Sequence, residues 1–508
     1  MYWARTILSP LLLTLLLTAG CDHQRRGPFG PKDEIETQDH AKDEIIESAR
    51  FVKPVELELE WALDNNKILA EQATEVFARI TIEAPDQLDL PPPPARVVLV
   101  VDTSASMKGE AITGAKQAAE VLVDTLRDGD QFALVVFHSE SQVLMPLTII
   151  GDESRAAAKA KIDAMQAWGT TDLAGGLRSA IQQFDQPWAQ PVYDAQGTPL
   201  PVPNVQPLDR IVLLGDGVPN DRAPIDQLIN DAAVRRVAIN SLGYGLEFDE
   251  TVLAKLAERT GGHYHFVEQP DAVAALFRDE VLDIQRTVAQ DIRLAFALGP
   301  DVGLIEVVGH SAGWNPNLGR FELPIGALAE GQDTELLVRL AVGPRRDGAT
   351  VELLDLSLDF TDIQTGTGAR SEREFLATEA TTDKAAIQAG ENRDITLAAA
   401  RARTSAATLM VLALARGGDL ANAKTKLDES VRWARDEAKR LGDEGLSKQA
   451  DELAALRKEL PGLVPRNNGG NGPIAADAVI SDEAYRPTPA AARAVRAAHS
   501  SAFNDLHN

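Results

Sequence analysis

The chain has 508 residues, 44% apolar and 25% charged, a globular balance that excludes wholesale disorder. Its 50 Lys and Arg stand against 76 Asp and Glu, a formal charge of -26 that phosphate backbones repel, so the composition argues against nucleic acid as a partner. A single cysteine excludes an intramolecular disulfide, a Cys-rich zinc site and a thiolate iron–sulfur cluster.

Residues 1–20 read as an export signal: Arg5 near the terminal amine, an apolar stretch from Ile7 to Leu17, then small residues. A transmembrane helix needs ~20 apolar residues, so this run is too short to span. Leu17-Thr18-Ala19-Gly20-Cys21 resembles a bacterial lipobox. That resemblance implies a lipoprotein cut before Cys21 and lipid-anchored through its thiol on the periplasmic or extracellular side of a bacterial membrane. Asp22 then favours the inner membrane. Residues 21–50 are charged, poor in large apolar groups, and suit a tether. Val55, Leu57, Leu59 and Trp61 alternate with glutamates, and Val76, Ala78, Ile80 and Ile82 share one face, giving two half-buried strands. Two strands alone are marginal. Residues 51–90 are therefore expected to pair with strands of 286–378 in one β-sandwich.

After Pro91–Pro94 the pattern changes. Val97 to Val101 is a continuous apolar run, as in a strand buried on both faces of a parallel sheet. A helix follows on Ile112, Ala115, Ala119, Leu122 and Leu126. Strand 132–137, helices near 153–166 and 173–184, strand 211–214, a helix near 224–234 and strand 237–242 complete an alternation. It predicts an α/β fold with a doubly wound, mostly parallel sheet. Residues 185–209 read as a surface insertion. Beyond 286, residues 335–342 and 354–360 alternate as strands of the sandwich. A helical region over 385–460 comprises helix 391–416, the turn Gly417-Gly418-Asp419, a helix on the stripe Leu420 to Leu441 and a third helix at 446–460. Residues 461–508 read as a disordered tail.

Asp102-Thr103-Ser104-Ala105-Ser106 directly follows the first buried strand, where doubly wound sheets open their ligand crevice. Thr171 lies in the loop Gly169-Thr170-Thr171-Asp172, and Asp216 lies in Gly215-Asp216-Gly217 after strand 211–214. Three strand or loop ends thus present Asp, Ser, Ser, Thr and Asp. Hard oxygen donors in that number suit Mg2+, with Mn2+ or Ca2+ as substitutes.

This order of segments is similar to a von Willebrand factor type A (VWA) domain with a metal-ion-dependent adhesion site, over about 95–275. Leu253 to Tyr264 looks like the last helix and strand of such domains. The resemblance implies that Ser104 and Ser106 ligate the metal directly, Thr171 in the ligand-receptive state, and Asp102 and Asp216 largely through water. Gly215 departs from the usual Thr or Ser, and Thr170 leaves open which threonine ligates. The flanks resemble exported bacterial proteins and the heavy chains of inter-alpha-trypsin inhibitor. The expected function is non-enzymatic: metal-bridged capture of an Asp or Glu from a protein ligand. The alternatives are a metal-dependent phosphoester hydrolase with Asp102 as nucleophile and a structural subunit of an envelope complex. His263 and His265 share one strand face with no third ligand visible in the sequence, so ordinary strand histidines are the favoured reading. His138 falls near the crevice, and a plain loop histidine is favoured there too.

Overall fold

The computed structural model describes residues 54–86, 93–188, 207–215, 221, 223–244, 250–267, 270–363, 369–463 and 489–507. The expected signal at 1–20, Cys21, the tether to residue 50 and Asp216 lie outside the described residues.

The chain begins with β1 (Glu58–Leu63), the short β2 (Lys67–Leu69) and β3 (Thr74–Glu83). In β3 the period-two set Val76, Ala78, Ile80 and Ile82 is buried, while Glu75 and Glu83 are exposed. The α/β unit follows: β4 (Ala95–Asp102), a 3-10 turn at Ala105–Met107, α1 (Glu110–Thr125), β5 (Gln131–Phe137), β6 (Ser141–Ile149), α2 (Asp152–Asp163) and α3 (Leu173–Gln183). It continues through β7 (Leu208–Gly215), α4 (Ile225–Val234), β8 (Ala238–Tyr244), α5 (Glu250–Thr260), β9 (Tyr264–Val267) and α6 (Pro270–Arg286). The sheet order is β6-β5-β4-β7-β8-β9, and β6 is its one antiparallel member.

Every residue of β4 is buried. Val97, Leu99 and Val101 pack with α1 and α6, whereas Val98 and Val100 pack with α3, α4 and α5. Helices on both faces explain why the sequence there is apolar without alternation. Strand β4 lies between β5 and β7, so the chain reverses its winding at β4/β7, and the ligand crevice opens beyond the carboxyl ends of those strands. The antiparallel edge strand β6 was not among the predicted elements. Its burial is patchy, with Met145 and Leu147 inward and most of its neighbours exposed.

Strand β10 (Thr287–Leu298) begins at the residue after α6 ends. Then come β11 (Val302–Val307), β12 (Gly313–Asn315), β13 (Arg320–Ala329), β14 (Asp333–Val342), β15 (Thr350–Asp362) and β16 (Ala369–Thr381). They form two sheets, β1-β3-β14-β11 and β12-β13-β10-β15-β16-β2. Ile80 and Ile82 of β3, Val338 and Leu340 of β14, Phe296 of β10, and Leu356, Leu358 and Phe360 of β15 meet in one core. The early strands thus pair with the late ones, and the α/β unit is inserted in the chain between β3 of one sheet and β10 of the other. Its last helix reaches Arg286, beyond the expected limit near 275.

The helical region comprises α7 (Lys384–Ala389), α8 (Arg393–Arg416), α9 (Leu420–Leu441), α10 (Glu444–Ala455) and α11 (Pro489–His507). Asp419 and Asp443 cap α9 and α10, accepting hydrogen bonds from the Asn422 and Leu446 amides. By length and composition α8 could cross a membrane. Here its Val411, Leu412 and Ala415 pack on α9, and its Ile395, Ala399 and Ala402 pack on Val308 and Leu337 of the sandwich. Helix α11 corrects the expectation of a disordered tail for residues 489–507. Val495, His499, Ala502, Phe503 and Leu506 are buried at helical spacing, and the small residues between them permit close docking on α8. Residues 464–488 lie outside the described residues.

Candidate metal centre

Asp102 ends β4 and is fully buried. Its Oδ1 accepts a 2.7 Å hydrogen bond from the Ser104 amide, which turns the chain sharply at the strand end. Thr103 donates twice to the Phe137 carbonyl, from its amide at 2.8 Å and its hydroxyl at 3.0 Å, tying the turn to the end of β5. Met107 is buried and anchors the far side of the 3-10 turn. Between these fixed points the Ser104 and Ser106 hydroxyls lie 2.8 Å apart.

The 168–172 loop is laced onto this turn. The Trp168 amide donates to the Thr103 carbonyl at 2.8 Å, and the Ala105 amide donates to the Gly169 carbonyl at 3.1 Å. The Asp172 amide donates to the His138 carbonyl at 2.7 Å. Gly169 has φ +82, and a Cβ there would meet Ser139 Oγ at 2.6 Å, so glycine is required. Helix α3 starts immediately afterwards, capped by Asp172, whose Oδ1 accepts from the Gly175 amide at 2.9 Å.

The two threonines differ. Thr170 is exposed, and its hydroxyl lies 3.3 Å from Ser139 Oγ. Thr171 is buried, and its hydroxyl has no hydrogen-bond partner among the described residues. Leaving a buried hydroxyl unsatisfied costs about 1–3 kcal/mol, a penalty that a cation ligand removes. Ser104, Ser106 and Thr171 are uncharged hard donors beside a buried carboxylate, a set that fits a divalent cation of the Mg2+ type. Asp216 lies outside the described residues, but its neighbour Gly215 ends β7 close to Asp102. A Cβ on Gly215 would sit 3.9 Å from Asp102 Oδ2.

One feature at the rim is not legible from spacing. His138 is buried and its ring lies against Trp168, with centroids 3.9 Å apart and planes at 39°. Trp168 is itself 52% exposed, an apolar plate beside the hydroxyl cluster. The sequence places these residues on different elements, and only the lacing of the two loops brings them together.

A doubly wound sheet that gathers hydroxyls and a carboxylate at its winding reversal defines an α/β domain with a candidate ligand crevice. Residues 95–266 match the family model of the von Willebrand factor type A domain, and this segment is a domain of that family. Inter-alpha-trypsin inhibitor heavy chain H4 from Homo sapiens is 31% identical over 175 residues, which is 33% of this chain and 18% of that protein. The Escherichia coli (strain K12) protein YfbK is 24% identical over 236 residues, 45% of this chain and 38% of YfbK. The chain therefore matches well under two thirds of either relative. Among solved structures, a von Willebrand factor type A protein from Catenulispora acidiphila has a TM-score of 0.62 at 19% identity, covering 87% of this chain and 96% of its own. The ArnB paralog VWA2 from Sulfolobus acidocaldarius has a TM-score of 0.53 at 15% identity, covering 80% and 98%. At these identities the likeness is one of fold, and its extent reaches beyond the α/β unit.

Proposed function

We propose that this chain is a lipid-anchored, extracytoplasmic binding protein that takes up Mg2+, with Mn2+ or Ca2+ as substitutes, and through it an Asp or Glu of a protein ligand. The observation that carries the reading is the buried Thr171 hydroxyl, unpartnered among the described residues, on a loop laced to the Ser104–Ser106 turn. Ser104, Ser106 and Thr171 would hold the ion directly, with Asp102 and Asp216 acting through water. The direct ligands would be neutral hydroxyls, with both carboxylates held behind water, which favours an incoming acid in the ion's own coordination shell. The chain's own part is to hold donors still: Thr103 and Met107 fix the first turn, and Asp172 fixes the start of α3. Trp168 offers apolar contact to whatever approaches. The hydrolase alternative asks for a reachable nucleophile, whereas Asp102 is fully buried with Oδ1 engaged by the Ser104 amide. The anchor rests on Cys21 and the apolar run before it.

The test uses membranes from cells producing the full chain. The chain is expected in the membrane fraction and, as Cys21→Ala, in the soluble fraction. Calorimetry on the purified chain is expected to detect one Mg2+, lost in Ser104→Ala and Thr171→Ala. Partner capture is expected to vanish with EDTA. Capture that survives both EDTA and Ser104→Ala sinks the metal-bridged reading.

A further inference from the structure

The α/β domain carries a second cluster of donors, of different chemistry, toward the opposite end of its strands from the hydroxyls. Period two from His263, the residue before β9, into the strand turns His263 and His265 toward Glu280 of α6, while Tyr264 faces the other way onto His499 and Phe503 of α11. Sequence alone shows only this pair. The fold adds Glu280 from α6, 15 residues beyond His265. Glu280 is 4% exposed. Its Oε1 lies 3.0 Å from His265 Nε2 and 3.7 Å from His263 Nδ1. One ligand atom from each of the three residues lies within 4.8 Å of the others. Zinc bonds of about 2.0–2.1 Å in a tetrahedron set its ligand atoms about 3.3 Å apart, so the two short separations already bracket a metal-binding edge.

The surroundings hold these donors in place. Asn240 on β8 donates from its side chain to Glu280 Oε2 and accepts from the His263 amide at 3.0 Å. One residue thus orients both the carboxylate and the strand that bears the imidazoles, as outer-shell partners of metal ligands do. A cavity of about 30 Å3, lined among others by Asn240, His263, Glu280, Asp283 and Arg210, adjoins the cluster. It is large enough for one water, which would supply a fourth ligand to an ion held there. Arg210 opposes a cation there, and the carboxylates of Glu280 and Asp283 outweigh its charge.

We propose that His263, His265 and Glu280 form a second metal site, selective for Zn2+ or a similar imidazole-seeking ion. Two imidazoles and a carboxylate suit zinc and its first-row neighbours, whereas the hydroxyl centre suits magnesium, so the two sites take different ions. Asn240 and Arg210 stand near the starts of β8 and β7, while Asp102 and Gly215 stand at strand ends, so the sites lie toward opposite ends of the parallel strands. The second site joins β9 to α6, and α6 runs straight into β10 of the sandwich. Bound zinc therefore fastens the last helix of the inserted domain at the point where it hands over to the sandwich. The proposal does not depend on the magnesium reading.

The test is a zinc titration of the full chain against a chromophoric chelator, with Mg2+ in excess to occupy the other centre. One Zn2+ per chain at micromolar affinity or tighter is expected, with the visible absorption of four-coordinate Co2+ when cobalt replaces it. His265→Gln and the partly exposed His263→Gln should each weaken uptake by about 100-fold. Circular dichroism checks that both variants are folded, and Ser104→Ala should bind zinc as the parent does. Absence of uptake at 1:1 zinc, or uptake unchanged in both folded histidine variants, overturns the proposal and leaves Glu280 as a hydrogen-bonded bridge between two histidines.

Discussion

His310 sits in the turn after β11, where its Nε2 donates to the Leu506 carbonyl of α11 at 3.0 Å. Burial pushes its imidazole down from 6.5 to about 4, against the upward pull of that hydrogen bond. The unfolded chain takes a proton near 6.5, whereas the folded chain resists until about 4. Its contribution is therefore complete above pH 6.5 and is lost as pH falls toward 4. Thermal unfolding at pH 7.5 and 4.5 is expected to show a smaller acid-induced drop in Tm for His310→Gln than for the parent, and hydrogen exchange is expected to show α11 loosening first. A His310→Gln chain with the parent's full acid sensitivity would refute this assignment. Residues at this scale are unevenly legible. Asp102, Ser104, Ser106 and Thr171 stand out as candidates because short spacings in two loops announce them. Trp168, His310 and Glu280 cannot, because each acquires its partner from an element distant in sequence.

Helix α3 approaches the sheet so closely that a side chain at Gly176 has no room. A Cβ there would meet Phe137 Cδ1 at 2.7 Å, and Phe137 is a buried ring of β5 that cannot swing away. Gly176→Ala is expected to cost about 1–3 kcal/mol, read from urea denaturation, because overpacking forces the helix off the strand. The same shift would move the Thr171 loop, so weaker Mg2+ uptake is expected alongside. A variant as stable as the parent would show that the helix can retreat freely. Elements with strong periodicity, such as β3, β4 and α9, follow directly from the residue pattern. Strand β6 escapes because an edge strand buries too few residues to alternate cleanly. Helix α11 escapes because its alanines and arginines carry little hydropathy, and its order comes from docking on Tyr264 and α8.

At the scale of the molecule, the helical region is fastened to the inserted domain by a buried ion pair. Arg416, at the end of α8, meets Glu250, which opens α5 and is 0% exposed. Replacing the arginine strands a carboxylate away from water, so Arg416→Met is expected to cost about 3–5 kcal/mol. The double change with Glu250→Gln should recover most of that loss, and a double-mutant cycle by denaturation measures it. Additive losses would mean that the pair is not coupled. The alternation of strands and helices makes the domain class readable from the sequence. The pairing of β3 with β14 is only inferable there, from two strands that lack a sheet of their own.

The inserted domain is moored at both ends to one sandwich, by β3 in one sheet and β10 in the other. Tension applied at the crevice by a captured ligand would thus divide between two anchorages. On the first it would run along the ten-pair ladder from Thr74 to Glu83 and stretch its bonds together rather than peel them in turn. Such a mooring would suit the proposed capture, with load shared between two sheets of one core.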